Sequence, residues 1–366
     1  MPALLLPLLL APALAAPRVF LYTMGHGEDL FTRYGHATIC VRLTGETSGD
    51  CYGYGYTDFS QPALTIWQFM RNEGVYWGEV DDEEHILRMY RRRSSDIWRQ
   101  ELTLTDEQRD ALIQSLKDSL TGEAKYYKYH HFYDNCSTRL RDPLDRVTGG
   151  LLSRDNDTPD GVTYREIAEH GLAGNLPLQV TLQLGLGREA DQHTTGWARM
   201  LMPAELRAQV EARLGARADL MFHGSTPPIP DTAQQGRTAV AAAGVALGAL
   251  AGLLGWKTPR LARGVVATLL GLPAVVFWAI AAITALSELR YNETLLLLWP
   301  TDLALPWLSP ERRWRYLQAR LGMVALVAVL WAVGLLIQPL GPNLCFVGLP
   351  LGVLAAGEWN RRRRGA

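Results

Sequence analysis

Hydrophobic positions divide the chain into a mixed first two-thirds and a strongly apolar last third. From residue 238 onward, four stretches with almost no charge each approach the roughly 20 residues that a helix needs to cross a bilayer core. No polar stripe runs along them, as a soluble core helix would require. They predict membrane-spanning helices at 238–256, 264–287, 318–337 and 340–358.

A fifth apolar stretch, 294–308, is shorter and contains Asp302 and two prolines. Lys and Arg concentrate on the cytoplasmic side of membrane proteins. With an exported N-terminal region, counting 294–308 as a span puts every basic cluster of the last third on that side. We therefore predict an all-α membrane domain of about five helices at 238–360 and a basic, cytoplasmic tail at 361–366. Re-entry is the alternative for 294–308, because Pro and Asp at membrane depth need protein or water around them. The basic clusters are Lys257, Arg260 and Arg263; Arg312, Arg313 and Arg315; and Arg361–Arg364.

The first part of the chain reads as an exported domain. Residues 1–16 are apolar and end in small residues, which is typical of a secretory signal peptide; an uncleaved anchor is the alternative. Residues 17–226 mix strand and helix patterns, and 227–237 has the Pro-rich polar composition of a linker. We expect an exported α+β domain at 17–226, joined by this linker to the membrane domain.

Within 17–226, strand patterns come first. The runs "ATICVRL" and "CYGYGYTDF" flank "TGETSGD", which indicates a hairpin, and "SSDIWRQELTL" predicts a further strand. Thr105 and Gln108 have the spacing of a capping box, which predicts a helix start. Thr163 and Glu166 repeat that spacing, and "PAELRAQVEARLG" predicts another amphipathic helix.

Composition and cysteine usage narrow the chemistry. A formal net charge of -1 argues against nucleic acid as a partner, and 4 cysteines are too few for a disulfide scaffold. Cys40 and Cys51 lie on the two arms of the predicted hairpin, and their spacing leaves open whether they are bonded. Cys345 lies in a predicted span. Cys136 is left without an obvious partner, which makes it the cysteine to consider for chemistry.

Cys136 follows Asp134 and Asn135 in "YDNCSTRL", a pattern typical of a helix start. There the helix dipole and unpaired N–H groups favour the thiolate, which is the nucleophilic form. The same N–H groups can hold an oxyanion. The alternative is a small core residue, because Cys136 shares a helical face with Leu140 and Leu144.

A cysteine nucleophile needs a base, and His36 is the best candidate. In "RYGHATICV" it begins a β run, and a rigid element holds a catalytic side chain more firmly than a loop does. His26 lies between glycines in a predicted loop and is a weaker candidate. An ordinary histidine at a strand edge is the alternative for His36.

Three motifs in this order, "FTRYGHATICV", "YGYGYTDF" and "YYKYHHFYDNCSTRLRDPLDR", carry a resemblance. The region from about 19 to 215 resembles the exported domain of the Lnb-type lipoprotein N-acyltransferase family. That domain is similar to the circularly permuted papain-like proteins, which include the NlpC/P60 peptidases and lecithin:retinol acyltransferase. In the permuted order a histidine on a strand precedes a cysteine on a helix. The resemblance therefore implies a permuted papain-like thiol fold for the α+β domain.

The resemblance implies roles for individual residues. Cys136 matches the catalytic cysteine and His36 the catalytic histidine. Asp58 in "YTDF" matches an aspartate of the family pattern that can orient the imidazole, and a turn-capping role is equally open to it. We assign substrate contacts to polar and aromatic residues in these motifs and in the stretch "YNETLLLLWP": Tyr34, Tyr54, Tyr129, Asn135 and Asn292.

The implied function is that of a membrane-bound acyltransferase. A fatty acyl chain moves from a phospholipid through a Cys136 thioester to the α-amine of the lipid-modified N-terminal cysteine of a lipoprotein. Such a protein lies in the bacterial inner membrane with its catalytic domain in the periplasm. No cofactor and no metal are expected, because no nucleotide motif or metal-ligand spacing occurs in the sequence. Two alternatives stay open: a cysteine peptidase or amidase acting on cell-wall peptides, and a non-catalytic membrane-anchored binding module.

The mechanism carries two geometric expectations. The Cys136 sulfur and a His36 ring nitrogen are expected to lie within about 4 Å of each other, in a cleft open toward the membrane. The residues Arg290–Glu293 are expected at the outer membrane surface below that cleft, because polar side chains at a span entrance need water, headgroups or protein.

Overall fold

The computed structural model describes residues 16–27, 32–230 and 234–365, so all but the last residue of the predicted signal segment 1–16 lies outside the described residues. The chain divides into two compact units that do not follow chain order. Parts of the predicted exported domain therefore pack in the same unit as the predicted membrane helices. Of the described residues, the first unit comprises 16–27, 32–57, 75–157 and 197–226, and the second comprises 58–74, 158–196, 227–230 and 234–365.

Strands dominate the first half of the described chain and long helices the end. The strands are β1 (Arg18–Met24), β2 (His36–Arg42), β3 (Asp50–Tyr56), β4 (Val75–Asp82), β5 (Ile97–Glu101), β6 (Tyr126–Lys128), β7 (Pro159–Thr163), β8 (His193–Thr195) and β9 (Ala218–Phe222). The α-helices are α1 (Pro62–Met70), α2 (Glu83–Arg92), α3 (Asp106–Ser119), α4 (Thr138–Val147), α5 (Tyr164–Gly171), α6 (Leu176–Gly185), α7 (Gly196–Arg199), α8 (Pro203–Leu214), α9 (Gln235–Lys257), α10 (Pro259–Ile283), α11 (Ser287–Arg290), α12 (Pro310–Ala332) and α13 (Gly341–Gly365). Short 3₁₀ turns cover Gly122–Lys125, Arg188–Asp191, Glu293–Leu296 and Pro300–Ala304.

The first unit is built on one antiparallel sheet of seven strands in the order β6-β4-β3-β2-β1-β5-β9. The predicted hairpin is confirmed as β2 and β3. Its register sets Cys40 opposite Cys51, with their Cα atoms 3.9 Å apart, and the two are disulfide-bonded. The register thus answers the question that the spacing left open. The mixed α/β character of the exported region is also confirmed.

Both faces of this sheet are covered by helices, which explains why β1 is buried without a break from Val19 to Met24. Alternate residues of a strand point to opposite faces. Val19 and Leu21 pack with the apolar residues of α3, α4 and α8, whereas Phe20, Tyr22 and Met24 pack with those of α2. The helix residues of these two clusters are Leu112, Leu116, Leu140, Leu144, Leu206, Val210, Ile86 and Tyr90.

Local capping signals in the sequence correctly marked two helix starts. In α3 the Thr105 side chain accepts the Gln108 N–H and the Gln108 side chain accepts the Thr105 N–H. In α5 the side chains of Thr163 and Glu166 do the same. A capping box satisfies two backbone donors that the first helical turn cannot pair, and this chemistry needs no tertiary contact.

The second unit contains long apolar helices. Among the described residues, α9, α10 and α12 are long and apolar enough to cross a membrane. Helices α9 and α13 run parallel and approach closely where Gly244 faces Cys345 and Phe346, and again where Gly248 faces Leu349. A Cβ on Gly244 would lie 2.5 Å from the Cys345 oxygen. Small residues permit this backbone approach in membrane helix packing.

The predicted helix at 294–308 does not form, and this prediction of a fifth helix is corrected. The segment consists of the 3₁₀ turns Glu293–Leu296 and Pro300–Ala304. Proline lacks an N–H and clashes with the preceding turn, so Pro300 and Pro306 oppose a continuous helix. Buried Asp302 is held by the Arg320 guanidinium at 2.8 Å, and both side chains are fully buried.

The segment nevertheless runs back along α10 through the interior of its unit. The Trp278 indole donates to the Leu298 carbonyl at 2.8 Å. Further along, Leu303 packs against Gly271, one to two turns nearer the start of α10. Buried Arg320 donates to the Leu297 carbonyl. Protein side chains therefore satisfy part of this irregular backbone, the condition under which such backbone is tolerated at membrane depth.

The three predicted basic clusters meet at one end of this unit. Glu358, near the end of α13, pairs with Arg263 at 3.1 Å, Arg313 at 2.8 Å and Arg361 at 3.0 Å. These arginines belong to the starts of α10 and α12 and to the basic tail. The starts of two helices and the end of a third thus lie on the same side, as the charge argument expected.

Candidate active site

Cys136 lies in the turn that leads into α4. The Asn135 carbonyl accepts the Arg139 N–H at 3.1 Å, so helical hydrogen bonding begins at Asn135. The Asn135 Oδ1 accepts the N–H groups of Ser137 at 2.9 Å and Thr138 at 3.0 Å. Asn135 therefore caps the turn, as the motif indicated, and Cys136 is its first residue.

Burial and nearby N–H groups act on the Cys136 thiol in opposite directions. Burial is the largest influence and raises the thiol pKa. The Ala37 N–H lowers it, followed by the hydroxyl and N–H of Ser137 and the N–H of Cys136 itself. The net pKa is raised, so the neutral thiol is the resting form. The expectation that the helix start alone favours a thiolate is wrong here, and a base has to remove the proton.

His36 begins β2, directly before Ala37, whose N–H faces the sulfur. Its ring stacks on Tyr90 with centroids 6.1 Å apart and planes 11° apart, and it meets Tyr56 edge-on at 6.5 Å. Burial, and then the positive charge of Arg93, lower the pKa of His36 to about 4. The imidazole is therefore neutral at neutral pH and can accept a proton.

Tyr56 and Tyr90 connect His36 and Cys136 in one aromatic enclosure. Burial is the main cause that raises the pKa of Tyr56 to about 12 and also raises the pKa of Tyr90; negative charge on Cys136 adds to both shifts. The two phenols thus lie within electrostatic range of the sulfur and in ring contact with His36. The predicted sulfur-to-nitrogen separation of about 4 Å stays a prediction.

A glycine bulge at the end of β3 borders the cysteine. The pairing of β3 with β4 shifts between Tyr54 and Tyr56, and Gly55 has φ +97°. Residues other than glycine rarely adopt this left-handed conformation. A Cβ on Gly55 would lie 3.8 Å from the Cys136 Cβ and 3.7 Å from Tyr129. Gly55 thus allows the backbone at the end of β3 to adopt this conformation beside Cys136.

The tyrosines that precede Cys136 form the adjoining wall. Tyr129 stacks on Tyr76 with centroids 4.7 Å apart, and the Arg139 guanidinium lies 3.5 Å above the Tyr127 ring. Burial and then charge on Cys136 raise the pKa values of Tyr127 and Tyr129, so both phenols are near the sulfur. This wall is aromatic, and aromatic side chains are common in the lining of ligand sites.

The predicted substrate residues of the first unit have different surroundings. Tyr129 borders Cys136, and Tyr34 is close enough to influence the pKa of Tyr129. Tyr54 belongs to the hydrophobic core, where its hydroxyl bonds Ser119 Oγ at 2.6 Å. Of these residues, Tyr129 and Tyr34 are therefore better placed for a substrate than Tyr54.

Asn135 is occupied by its capping role. Besides accepting two N–H groups, its Nδ2 donates to the carbonyls of His131 at 2.9 Å and Leu201 at 3.0 Å. The side chain is 4 % exposed. Its polar atoms thus hold the turn around Cys136, and a direct substrate contact by Asn135 stays a prediction.

Asp58 and Asn292 belong to the second unit. The Asp58 carboxylate accepts the Ser60 N–H at 2.8 Å, which lowers its pKa, and the Asp58 carbonyl accepts the Thr65 hydroxyl. These bonds fit the turn-capping role, and the orienting role stays a prediction. Asn292 is buried, and its Nδ2 donates to the carbonyls of Leu184 and Gly185. Its role toward substrate also stays a prediction.

Sequence reasoning missed Tyr90 and Arg93 at this site. Both lie in "RMYRRR", at the end of α2, a helix in which half of the residues are charged. The available signal was Tyr90 itself, because a large aromatic side chain on a strongly charged helix indicates the face that packs against the protein. The Arg93 guanidinium lies 5.5 Å from the Tyr90 ring centre. Only the fold brings this pair to His36.

The arrangement supports chemistry in which a neutral thiol gives its proton to a neutral imidazole. The separated charges would be costly in an apolar enclosure, so the proton transfer and the attack on a substrate carbonyl are expected to proceed together. The N–H groups near the sulfur are then available to an oxyanion.

Comparison with known proteins supports an exported domain in the first part of the chain. No curated protein and no solved structure shows a significant match to the chain. A match to the Lnb N-terminal periplasmic domain family covers residues 12–170, which include His36 and Cys136. Together with three apolar helices of spanning length, this match indicates a membrane protein with an exported domain. The exported part of the chain, through residue 170, is thus identified by its similarity to the Lnb N-terminal periplasmic domain.

Proposed function

We propose that this protein is a membrane-bound lipoprotein N-acyltransferase that uses Cys136 as nucleophile and His36 as base. The observation that carries the proposal is the enclosure of a neutral thiol and a neutral imidazole by shared tyrosines, in a chain whose first part matches the Lnb N-terminal periplasmic domain. The donor is a phospholipid, and the acceptor is the α-amine of a lipoprotein's lipid-modified N-terminal cysteine.

In the first half-reaction the Cys136 proton moves to the His36 imidazole as the sulfur attacks the ester carbonyl. A sulfur–carbon bond forms and the oxygen becomes an oxyanion beside the N–H groups of Ala37 and Cys136. The ester carbon–oxygen bond then breaks. His36 returns the proton to the leaving lysophospholipid alkoxide, and an acyl thioester remains on Cys136.

In the second half-reaction the lipoprotein α-amine attacks the thioester. His36 takes a proton from the attacking amine, the carbon–nitrogen bond forms and the carbon–sulfur bond breaks. The proton finally returns to the Cys136 thiolate. Burial disfavours the charged thiolate of Cys136. The proton is therefore expected to return from His36 to the sulfur, which restores the neutral thiol and the neutral imidazole.

The second unit supports a membrane orientation for this reaction. Basic residues favour the cytoplasmic side, and Arg263, Arg313 and Arg361 converge on Glu358. We therefore place this end in the cytoplasm. Residues 293–308 then act as a non-helical crossing between α10 and α12, so the chain keeps five crossings with four long helices. The stretch 290–293 lies at the opposite end, beside the start of α13, as its bond to Gln338 indicates.

The test is a complementation experiment in cells that lack their own lipoprotein N-acyltransferase. Wild-type protein is expected to restore N-acylated lipoproteins in mass spectra, whereas Cys136→Ala and His36→Ala variants expressed at equal levels are not. Cys136→Ser is expected to accumulate an acyl ester, because the oxygen ester is the less reactive acyl donor. Release of free fatty acid or cleaved cell-wall peptide without lipoprotein acylation would instead indicate a hydrolase.

A further inference from the structure

A basic cavity opens at the end of α2 in the first unit. Its volume is about 260 Å³. None of the described residues that line it carries a carboxylate. A lining with three arginines and no carboxylate attracts anions, and arginine in particular matches the geometry of a phosphate group. The lining residues are His85, Arg88, Met89, Arg92 and Arg93.

The charge of this cavity is only partly balanced by the chain itself. Arg88 pairs with Glu84 at 2.8 Å, and His85 pairs with Asp81. Within the described part of the chain, Arg92 and Arg93 make no ion pair. The C-terminus of α2 carries a partial negative charge, which favours a nearby cation. This partial charge is smaller than the combined positive charge of the arginines there.

The cavity adjoins the candidate active site through one aromatic ring. The Arg93 guanidinium lies 5.5 Å from the Tyr90 ring centre, and Tyr90 stacks on His36. Burial is the main cause that lowers the pKa of His36, and the positive charge of Arg93 is the second. An anion held by Arg93 would therefore lie close to the imidazole.

We infer that this cavity binds the phosphodiester of the phospholipid donor, with Arg92 and Arg93 as its anion ligands. The inference rests on the proposed function and specifies its substrate. In a glycerophospholipid the phosphate is only a few covalent bonds from the acyl ester. A phosphate at Arg93 would therefore bring an ester toward Cys136 and distinguish phospholipids from uncharged acyl lipids.

The experiment compares two donors that carry the same acyl ester and differ in the phosphate. Full-length protein in nanodiscs receives either phosphatidylethanolamine or diacylglycerol as donor, with an N-terminal diacylglyceryl-cysteine peptide as acceptor. Arg93→Ala is expected to lower kcat/KM for the phospholipid about tenfold, mainly through KM, since one charge-assisted contact is lost. The loss with diacylglycerol is expected to be much smaller, because diacylglycerol has no phosphate for Arg93 to bind and only the effect of the Arg93 charge on His36 remains.

Arg91→Ala is the matched control. It removes the same charge from the same exposed helix end, but Arg91 does not line the cavity. Its kinetics are expected to equal those of wild type with both donors. An equal loss with Arg91→Ala would indicate general attraction to an anionic surface and overturn the site. An equal loss with diacylglycerol in Arg93→Ala would overturn it too.

Binding measurements separate this inference from the proposed function. Inorganic phosphate and glycerophosphoethanolamine are titrated against Cys136→Ala protein, which cannot form a thioester. Glycerophosphoethanolamine binding that Arg92→Ala and Arg93→Ala weaken would support the site even if no donor yields acyl transfer, in which case only the proposed function fails. Binding of inorganic phosphate alone would mark a free-phosphate site and refute the donor role. Acyl transfer that is insensitive to both arginines would refute the inference and leave the proposed function standing.

Discussion

The cap of the Cys136 turn gives the sharpest test of the site's architecture. Asn135→Ala removes the acceptor of the Ser137 and Thr138 N–H groups and the donor to the carbonyls of His131 and Leu201. Loss of a cap costs about 1 kcal/mol, and a buried carbonyl left without a donor costs about 1–3 kcal/mol. With one cap and two carbonyls, the sum is about 3–7 kcal/mol of local stability, if no water replaces the lost bonds.

Hydrogen exchange read by mass spectrometry measures this loss directly in detergent or nanodiscs. Amides of residues 136–147 are expected to exchange about a hundredfold or more faster in Asn135→Ala than in wild type, since about 1.4 kcal/mol corresponds to tenfold. Gln114→Ala on α3, which removes one exposed side-chain bond, is the control and is expected to leave these amides unchanged.

Asn135→Asp separates the cap from the donor bonds. The carboxylate keeps both N–H partners but cannot donate to the two carbonyls, and its charge near the sulfur raises the thiol pKa further. We expect intermediate exchange and slower alkylation of Cys136. If exchange in 136–147 stays within about threefold of wild type in Asn135→Ala, the capping argument is refuted.

Three further predictions concern packing, topology and pH. Gly244→Val is expected to destabilise the α9–α13 contact by about 1–3 kcal/mol, because its Cβ would lie 2.5 Å from the Cys345 oxygen; thermal unfolding in detergent measures this. A reporter fused after residue 364 is expected to be active only as a cytoplasmic reporter. Because the pKa of His36 is lowered from 6.5 to about 4, its contribution to folding is complete above pH 6.5 and is lost as pH falls toward 4; acyl transfer is expected to decline in the lower part of this range.

Each of these predictions has a control or a contradicting result. Gly255→Val, with nothing within 4 Å of its Cβ, is expected to be near neutral, and equal destabilisation would argue against the packing account. Periplasmic activity of the carboxyl-terminal reporter would remove the crossing at 293–308. A pH–rate midpoint near 6.5 would mean that His36 is solvated rather than enclosed. The glutamine of His36→Gln does not titrate. The free energy of unfolding of this variant is therefore expected to fall less than that of wild type between pH 6.5 and 4.

Features governed by local rules were predictable from the sequence. The hairpin of β2 and β3 follows from alternation and turn residues, and the helix starts at Thr105 and Thr163 follow from capping boxes. The Asn135 cap belongs to the same class. These patterns depend on neighbours a few residues away, so tertiary packing does not change them.

Features that depend on the surroundings were not predictable. The sequence position of Cys136 indicated a lowered thiol pKa, but burial among distant tyrosines outweighs the helix start. The composition of 294–308 indicated a helix, but its prolines and the Asp302–Arg320 pair give an irregular buried segment. Tyr90 and Arg93 reach His36 only through the packing of α2 on the sheet.

The most direct test of the central claim is the detection of an acyl group on Cys136. Purified protein is incubated with a defined phospholipid without acceptor, quenched in acid, digested and analysed by mass spectrometry. We expect one fatty acyl group on the peptide that contains Cys136, released by hydroxylamine and by the acceptor amine, and absent in Cys136→Ala. Acyl transfer to lipoprotein that proceeds at the wild-type rate in Cys136→Ala would contradict the claim and leave Cys136 as a core residue.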